Sequence, residues 1–256
     1  MTARVLVTRQ AGTWPALEAR FRGTAVWLQL TETTRDADPV DPRPGDFALD
    51  RLDRCDWLVA TSGRGVSALK RRLSARGEAA LPSRLRVAAV GPATARALAA
   101  IGARVDLIAD EASSLGLVGS LRPHLAAGQR VVIVGPEGSK GLLAAALRAG
   151  GLEVEEAPLY RTIASDRAPE LADAAIAGEF SAVVLTAPSS LDLWLDAAGA
   201  RREALVHALE AVARVAIGPT TAAHLASLGL PADAVAETPA EDAVGDAIAQ
   251  LFDLLT

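Results

Sequence analysis

The stretch Val215–Leu230, VAIGPTTAAHLASLGL, is almost a second copy of Val87–Ala103, VAAVGPATARALAAIGA. Each runs from a short apolar segment through Gly-Pro into an alanine-rich stretch that closes on glycine. That order is the signature of a buried strand feeding a helix. Working outward, two further pairs recur at the same spacing. VLVTRQAG from Val5 matches VVIVGPEG from Val131, and LVATSGRGVSAL around Thr61 matches VVLTAPSSLDLW around Thr186. Offsets of 126, 125 and 127 residues identify an internal duplication.

Within each half, apolar runs of strand length alternate with helical stretches. The runs are VLV, WLVAT, RVAAV and VDLI, then VVIV, AVVLT, RVAI and AVAE; the helical stretches include SALKRRLSA, SLGLVGSLRPHL, KGLLAAALRAGG and SLDLWLDAA. Alternation of this kind predicts right-handed βαβ crossovers, and continuous apolar strands predict a sheet covered on both faces. The expected fold class is α/β: two similar doubly wound parallel-sheet lobes from an internal duplication. Thr31–Asp50 is polar with three prolines, and its counterpart is APLYRTIASDRAPEL from Ala157. Both read as connections between lobes rather than as elements.

The 256 residues suffice for two cores, and the net charge of −5 with no dense basic surface argues against nucleic acid. Lys70-Arg71-Arg72 reads as the solvated face of a helix. Charges interrupt every apolar run before the roughly 20 residues of a membrane span. One cysteine, Cys55, leaves no internal disulfide and reads as a packed core thiol. With no leader-like segment at the N-terminus, these features predict a cytoplasmic protein that needs no membrane. His124, His207 and His224 stand far apart, so no metal is expected.

Ligands of open α/β sheets bind beyond the carboxyl ends of the strands. Here those ends carry hydroxyls and glycines: Thr8 and Arg9; Thr61 and Ser62; Gly91 and Thr94; Gly135 and Ser139; Ser189 and Ser190; Gly218, Thr220 and Thr221. Each turn offers free backbone N–H groups and a hydroxyl at a helix start, a combination suited to anions. Each hydroxyl is equally suited to plain helix N-capping. GPEGSKG lacks the ending of a nucleotide P-loop, and there is no G-x-G-x-x-G. Several modest anion sites suit a ligand with separated carboxylates better than a triphosphate.

Taken in order, VLVTR, DWLVATSGRGVSAL, VAAVGPATARAL, GLEVEEAPLYRT, VVLTAPSS and VAIGPTTAAHLASLGL resemble the uroporphyrinogen-III synthase family over nearly the whole chain. The resemblance implies a tetrapyrrole substrate, hydroxymethylbilane, with eight carboxylates. It also implies inversion of the terminal pyrrole ring, ring closure with loss of water, no cofactor and a monomer. An active-site cleft between lobes is implied as well, one lobe formed by residues 1–33 and 163–256 and the other by 34–162. Tyr160, the chain's only tyrosine, matches the family's linker tyrosine and becomes the candidate acid; alternatively its ring anchors the linker with the hydroxyl satisfied. Arg9 and Arg161 could meet substrate carboxylates or lie in surface ion pairs. Glu155 and Glu156 read as solvated surface. Arg64 departs from a family asparagine, and Lys140 stands where a basic residue recurs.

Two other functional classes fit parts of this pattern. A non-enzymatic two-lobed binding protein for a small polyanion would ordinarily carry an export signal. A nucleotide-sugar transferase with two Rossmann-like lobes would be larger and show a clearer diphosphate site.

Overall fold

The computed structural model describes residues 2–78, 80–111, 113–139 and 141–253. The first part of the chain forms β1 (Ala3–Val7), α1 (Pro15–Phe21), β2 (Val26–Leu30), β3 (Thr34–Ala37), α2 (Arg43–Leu49), β4 (Trp57–Ala60) and α3 (Gly63–Ala75). It continues with β5 (Arg86–Ala89), α4 (Pro92–Ala99), β6 (Leu107–Ile108) and α5 (Ser114–Leu121). Then come β7 (Arg130–Pro136), α6 (Leu142–Ala149), β8 (Glu153–Ala164), α7 (Ala168–Ile176), β9 (Ala182–Leu185) and α8 (Pro188–Ala197). The last elements are α9 (Arg202–Ala211), β10 (Ala213–Ala216), α10 (Pro219–Ser227), β11 (Ala234–Val235) and α11 (Glu241–Leu251).

The chain divides into two compact units: Met1–Arg35 with Ile163–Thr256, and Asp36–Thr162. One sheet has the order β11-β10-β9-β1-β2, the other β3-β8-β7-β4-β5-β6. The pairs β1–β2, β1–β9, β9–β10 and β10–β11 are parallel, as are β7–β8, β4–β7, β4–β5 and β5–β6. Under the duplication β1 and β2 correspond to β7 and β8, and β4, β5 and β6 to β9, β10 and β11. Each sheet therefore takes its first strand pair from one repeat and three strands from the other, and the second sheet adds β3 beside β8. The common order, 2-1-3-4-5, is that of flavodoxin-like sheets.

Both faces of each sheet are buried, as the apolar runs require. Along β1, Val5 and Val7 join the core under α1 and α11, while Leu6 between them joins the core under α7, α8 and α9. In the other unit, Leu58 and Ala60 of β4 face α3 and α4, while Trp57 and Val59 face α5 and α6. Each such valine or leucine side chain contributes about 1.5–3 kcal/mol of burial. Cys55 is buried in the first of these cores. The quoted copies end alike: Gly102 and Gly229 adopt φ of 80° and 76°. Next to them, Ala103 N–H donates to Leu98 O and Leu230 N–H to Leu225 O, the closing bond of a Schellman turn.

The segments read as connections are not structureless. Thr31–Asp50 holds β3 and α2, and the segment from Ala157 lies largely in the twelve-residue β8. β3 and β8 are hydrogen-bonded neighbours, so the polar residues of these strands are partnered through their backbone. Among the described residues, no helix is long and apolar enough to cross a membrane.

Candidate functional site

In a 2-1-3-4-5 sheet the strand order reverses between strands 1 and 3, and ligands bind at the carboxyl end of that switch point. In one unit this is the β1–β9 pair, followed by Thr8–Arg9 and Thr186–Ser190. In the other it is the β7–β4 pair, followed by Gly135–Ser139 and Thr61–Gly63. Both switch points are closed by the same bond. The Thr186 hydroxyl donates to Thr8 O at 2.8 Å, and the Thr61 hydroxyl donates to Val134 O, the repeat equivalent of Thr8 O, at 3.3 Å. Thr8 is itself buried, its hydroxyl donating to Val184 O at 2.9 Å and accepting from Thr186 N–H at 3.2 Å. Its hydroxyl therefore ties two strands together. Gly135 is buried and close-packed: a Cβ there would lie 3.4 Å from the Thr61 hydroxyl.

The helix starts divide into two kinds. Ser62 caps α3, its Oγ accepting from Gly65 N–H at 3.0 Å. At α4 and α10 the cap residue is Gly91 or Gly218, with no side-chain cap, and proline follows. This corrects the expectation that threonine caps these helices. Thr94 and Thr221 are equivalent positions inside the first turn, and both are buried, whereas Thr220 is exposed. The first-turn N–H groups after the two glycines lack a capping side chain, which suits an anion there. At α8 the cap is Ala187, Ser189 is exposed and Ser190 is buried. Ser139 is exposed; its neighbour Lys140 lies outside the described residues.

Tyr160 is 3% exposed, and its hydroxyl lies 3.2 Å from Ser62 Oγ. Its ring belongs to the core, with the Arg64 guanidinium 5.8 Å away. The ring is thus held in the core, and its hydroxyl has a partner at the cap of α3. Arg9 stacks over Trp14 at 4.3 Å and donates to Thr13 Oγ at 3.2 Å; burial lowers its pKa against an opposing pull from Glu241. Arg161 donates from Nε to Asp38 O at 3.0 Å.

Three features lay outside the sequence reading. Glu155 is only partly solvated: it pairs with Arg51 at 3.2 Å, and its Oε2 is buried without a hydrogen-bond partner. His224 Nε2 lies 2.8 Å from Asp192 Oδ1 and so bridges α10 to α8. The spacing of 32 residues gives no motif, and only the packing of the two helices brings them together. The third feature is a cavity of about 610 Å³ in the Asp36–Thr162 unit, at the carboxyl end of β7. Thr61, Gly135 and Ser139 line it together with Asp41, Glu137 and Glu156, none of which the hydroxyl-and-glycine pattern had selected. The Asp41 carboxyl is held below its usual range by hydrogen bonds from Arg43.

Comparison with known proteins places this geometry in a family. The family model described as uroporphyrinogen-III synthase HemD matches residues 16–245. A protein named "Putative uroporphyrinogen-III synthase" from Methanothermobacter thermautotrophicus is 31% identical over 204 residues, covering 78% of this chain and 79% of the relative. The uroporphyrinogen-III synthase of Synechococcus elongatus is 31% identical over 174 residues, 68% of this chain and 65% of the relative. Among solved structures, a mutant uroporphyrinogen III synthase from Thermus thermophilus aligns over 99% of this chain and 98% of its own, with a TM-score of 0.65 at 23% identity. The Helicobacter pylori uroporphyrinogen-III synthetase aligns over 98% of this chain and all of its own, with a TM-score of 0.61 at 18% identity, a likeness of fold.

Proposed function

The chain belongs to the uroporphyrinogen-III synthase family, and from that premise we propose that it cyclises hydroxymethylbilane to uroporphyrinogen III. The terminal pyrrole ring is inverted and water is lost, making the protein a cyclising hydro-lyase of tetrapyrrole biosynthesis. The observation that carries this reading is the extent of the family match, which covers most of both repeats and the whole of the β7–β4 switch point.

Ring closure of a linear tetrapyrrole carrying its own leaving group needs little chemical help. Inversion needs a fixed fold of the substrate, so catalysis here is above all positioning. Each unit supplies turns suited to this task. The N–H groups after Gly91 and Gly218, with exposed Thr220 and Ser189, hold substrate carboxylates; Ser62 and Arg161 extend the same set, and Ser139 borders the cavity at the end of β7. Thr8, Ser190, Thr94 and Thr221 shape those turns as buried residues, Thr61 does so through its half-buried bond to β7, and Gly135 packs against that hydroxyl. Tyr160 acts through Ser62 as a positioning residue. Arg9, stacked on Trp14, keeps a cation beside the β1 turn. The protein works as a cytoplasmic monomer on this small-molecule substrate.

The test is a coupled assay in which hydroxymethylbilane is generated in situ and the products are separated as I and III isomers. The expected product is the III isomer in large excess. Spontaneous closure yields the I isomer, so a product mixture unchanged by the protein would leave a binding role instead.

A further inference from the structure

The cavity in the Asp36–Thr162 unit does not look like a receptor for carboxylates. Its walls are apolar, with Ile133, Leu142, Leu143 and Ala157 prominent, and its polar rim carries Asp41, Glu137 and Glu156. Asp41 is taken up by Arg43 at 2.9 Å, and Glu156 by Arg148 at 3.2 Å. No cation pairs with Glu137 among the described residues. Glu137 is nevertheless fixed at two points. Its backbone N–H donates to Tyr160 O at 2.7 Å, and its Oε2 accepts from Val40 N–H at 3.2 Å.

The register explains why Glu137 sits there. β7 and β8 pair residue by residue up to Gly135↔Pro158, then skip to Pro136↔Tyr160. An irregularity of this kind bends a strand and re-aims the side chains that follow it. Here it falls immediately before Glu137, at the carboxyl end of β7. The volume is that of a site for a drug-sized group rather than an ion.

We propose that this cavity seats one pyrrole ring of the substrate with its N–H edge inward, donating to the Glu137 carboxylate, and that Glu137 stabilises the positive charge which develops on that ring when the hydroxymethyl group departs. The inference rests on the synthase reading given above. Charge decides the orientation. The acidic side chains of such a ring sit on the carbons away from nitrogen, so a carboxylate in the cavity repels that edge and attracts the N–H edge. In the step itself the C–O bond of the hydroxymethyl group breaks and the oxygen leaves as water, with a proton from solvent. The nitrogen lone pair closes the exocyclic C=C bond, leaving an N–H-bearing azafulvenium cation. A carboxylate fixed beforehand against that N–H, beside apolar walls, needs no reorganisation as the charge develops.

Glu137→Gln tests this in the full-length protein, because the amide oxygen can still accept from Val40 N–H. Loss of the charge is expected to lower kcat by about 10²-fold, the scale for removing one preorganised electrostatic partner. KM should stay level or fall, since one repulsive charge toward a polyanion has gone. Wild-type kcat in the Gln variant, with or without a lower KM, would overturn the proposal. Glu137→Asp separates charge from scaffold. It should recover most of kcat, whereas an Asp variant as impaired as Gln in both kcat and melting temperature would make Glu137 structural and also overturn it. A wild-type protein that forms no III isomer would instead count against the synthase reading.

Discussion

Single residues mattered here mainly through what their polar atoms already hold. The Tyr160 hydroxyl is engaged with Ser62, which caps α3. Tyr160→Phe is therefore expected to cost about 1 kcal/mol of stability, the worth of one hydrogen bond, and to reduce turnover less than tenfold. Urea unfolding and steady-state kinetics check the two parts. A loss near 10²-fold at unchanged stability would make the phenol a general acid after all. Cys55 illustrates the same logic for a titrating group. Burial, reinforced by Glu155 and Asp56, pushes its thiol from 9.0 to about 11. The native thiol should thus resist alkylation at pH 8 and react once denaturant opens the core. The raised pKa means that folding favours the protonated thiol, so its contribution is complete below pH 9.0 and disappears as pH rises through about 11. Melting temperatures of wild type and Cys55→Ala should converge over that window. From sequence, Cys55 was legible as a core thiol because free cysteine is usually buried. Glu155 was not legible, because its partner Arg51 and the cover over its Oε2 come from another segment of the chain.

At the level of elements, the apolar runs and glycine stops located strands and helices well wherever both faces of a strand are buried. They failed at β3, α2 and β8, where polar residues and prolines suggested connection. The reason is physical: β8 extends beyond its pairing with β7, and its later residues satisfy the backbone against β3 while their side chains stay partly in water. α2 is held by close approach rather than by a long apolar face. A Cβ on Gly45 would lie 2.8 Å from Pro158 O and 2.9 Å from a Leu159 methyl group. Gly45→Ala is accordingly expected to destabilise the protein by about 1–3 kcal/mol, although alanine is the better helix former. Chemical denaturation measures this directly. A neutral or stabilising result would mean that α2 is free to lift from β8. The candidate turns were legible to the same degree as the elements. Glycine and hydroxyl patterns marked all six strand ends, but which hydroxyls are exposed, like Thr220, and which are buried, like Thr94 and Thr221, depends on packing around each helix start.

For the whole molecule, the repeat boundary and the structural boundary do not coincide. A fragment of residues 36–162 contains β4 to β7 entire, most of β8 and both cores that cover the sheet. It should fold alone and unfold cooperatively. A fragment of residues 1–127, one complete repeat, lacks β7 beside β4 and β9 beside β1. It should show no cooperative transition in circular dichroism. Folding of the repeat fragment as a stable unit would overturn this account of where the cores lie. The sequence by itself determined the duplication, the α/β class, the alternation of strand and helix, and the turns able to bind anions. All of these are local patterns or comparisons of the chain with itself, and local stereochemistry and hydrophobic period are sufficient to read them. Only the tertiary structure decided that each sheet completes itself with strands from the other repeat, because two halves with the same strand pattern offer similar apolar edges to either partner. It alone also placed Glu137 at the rim of an apolar cavity, since the pairing skip in β7–β8 that aims it is a matter of register between distant strands.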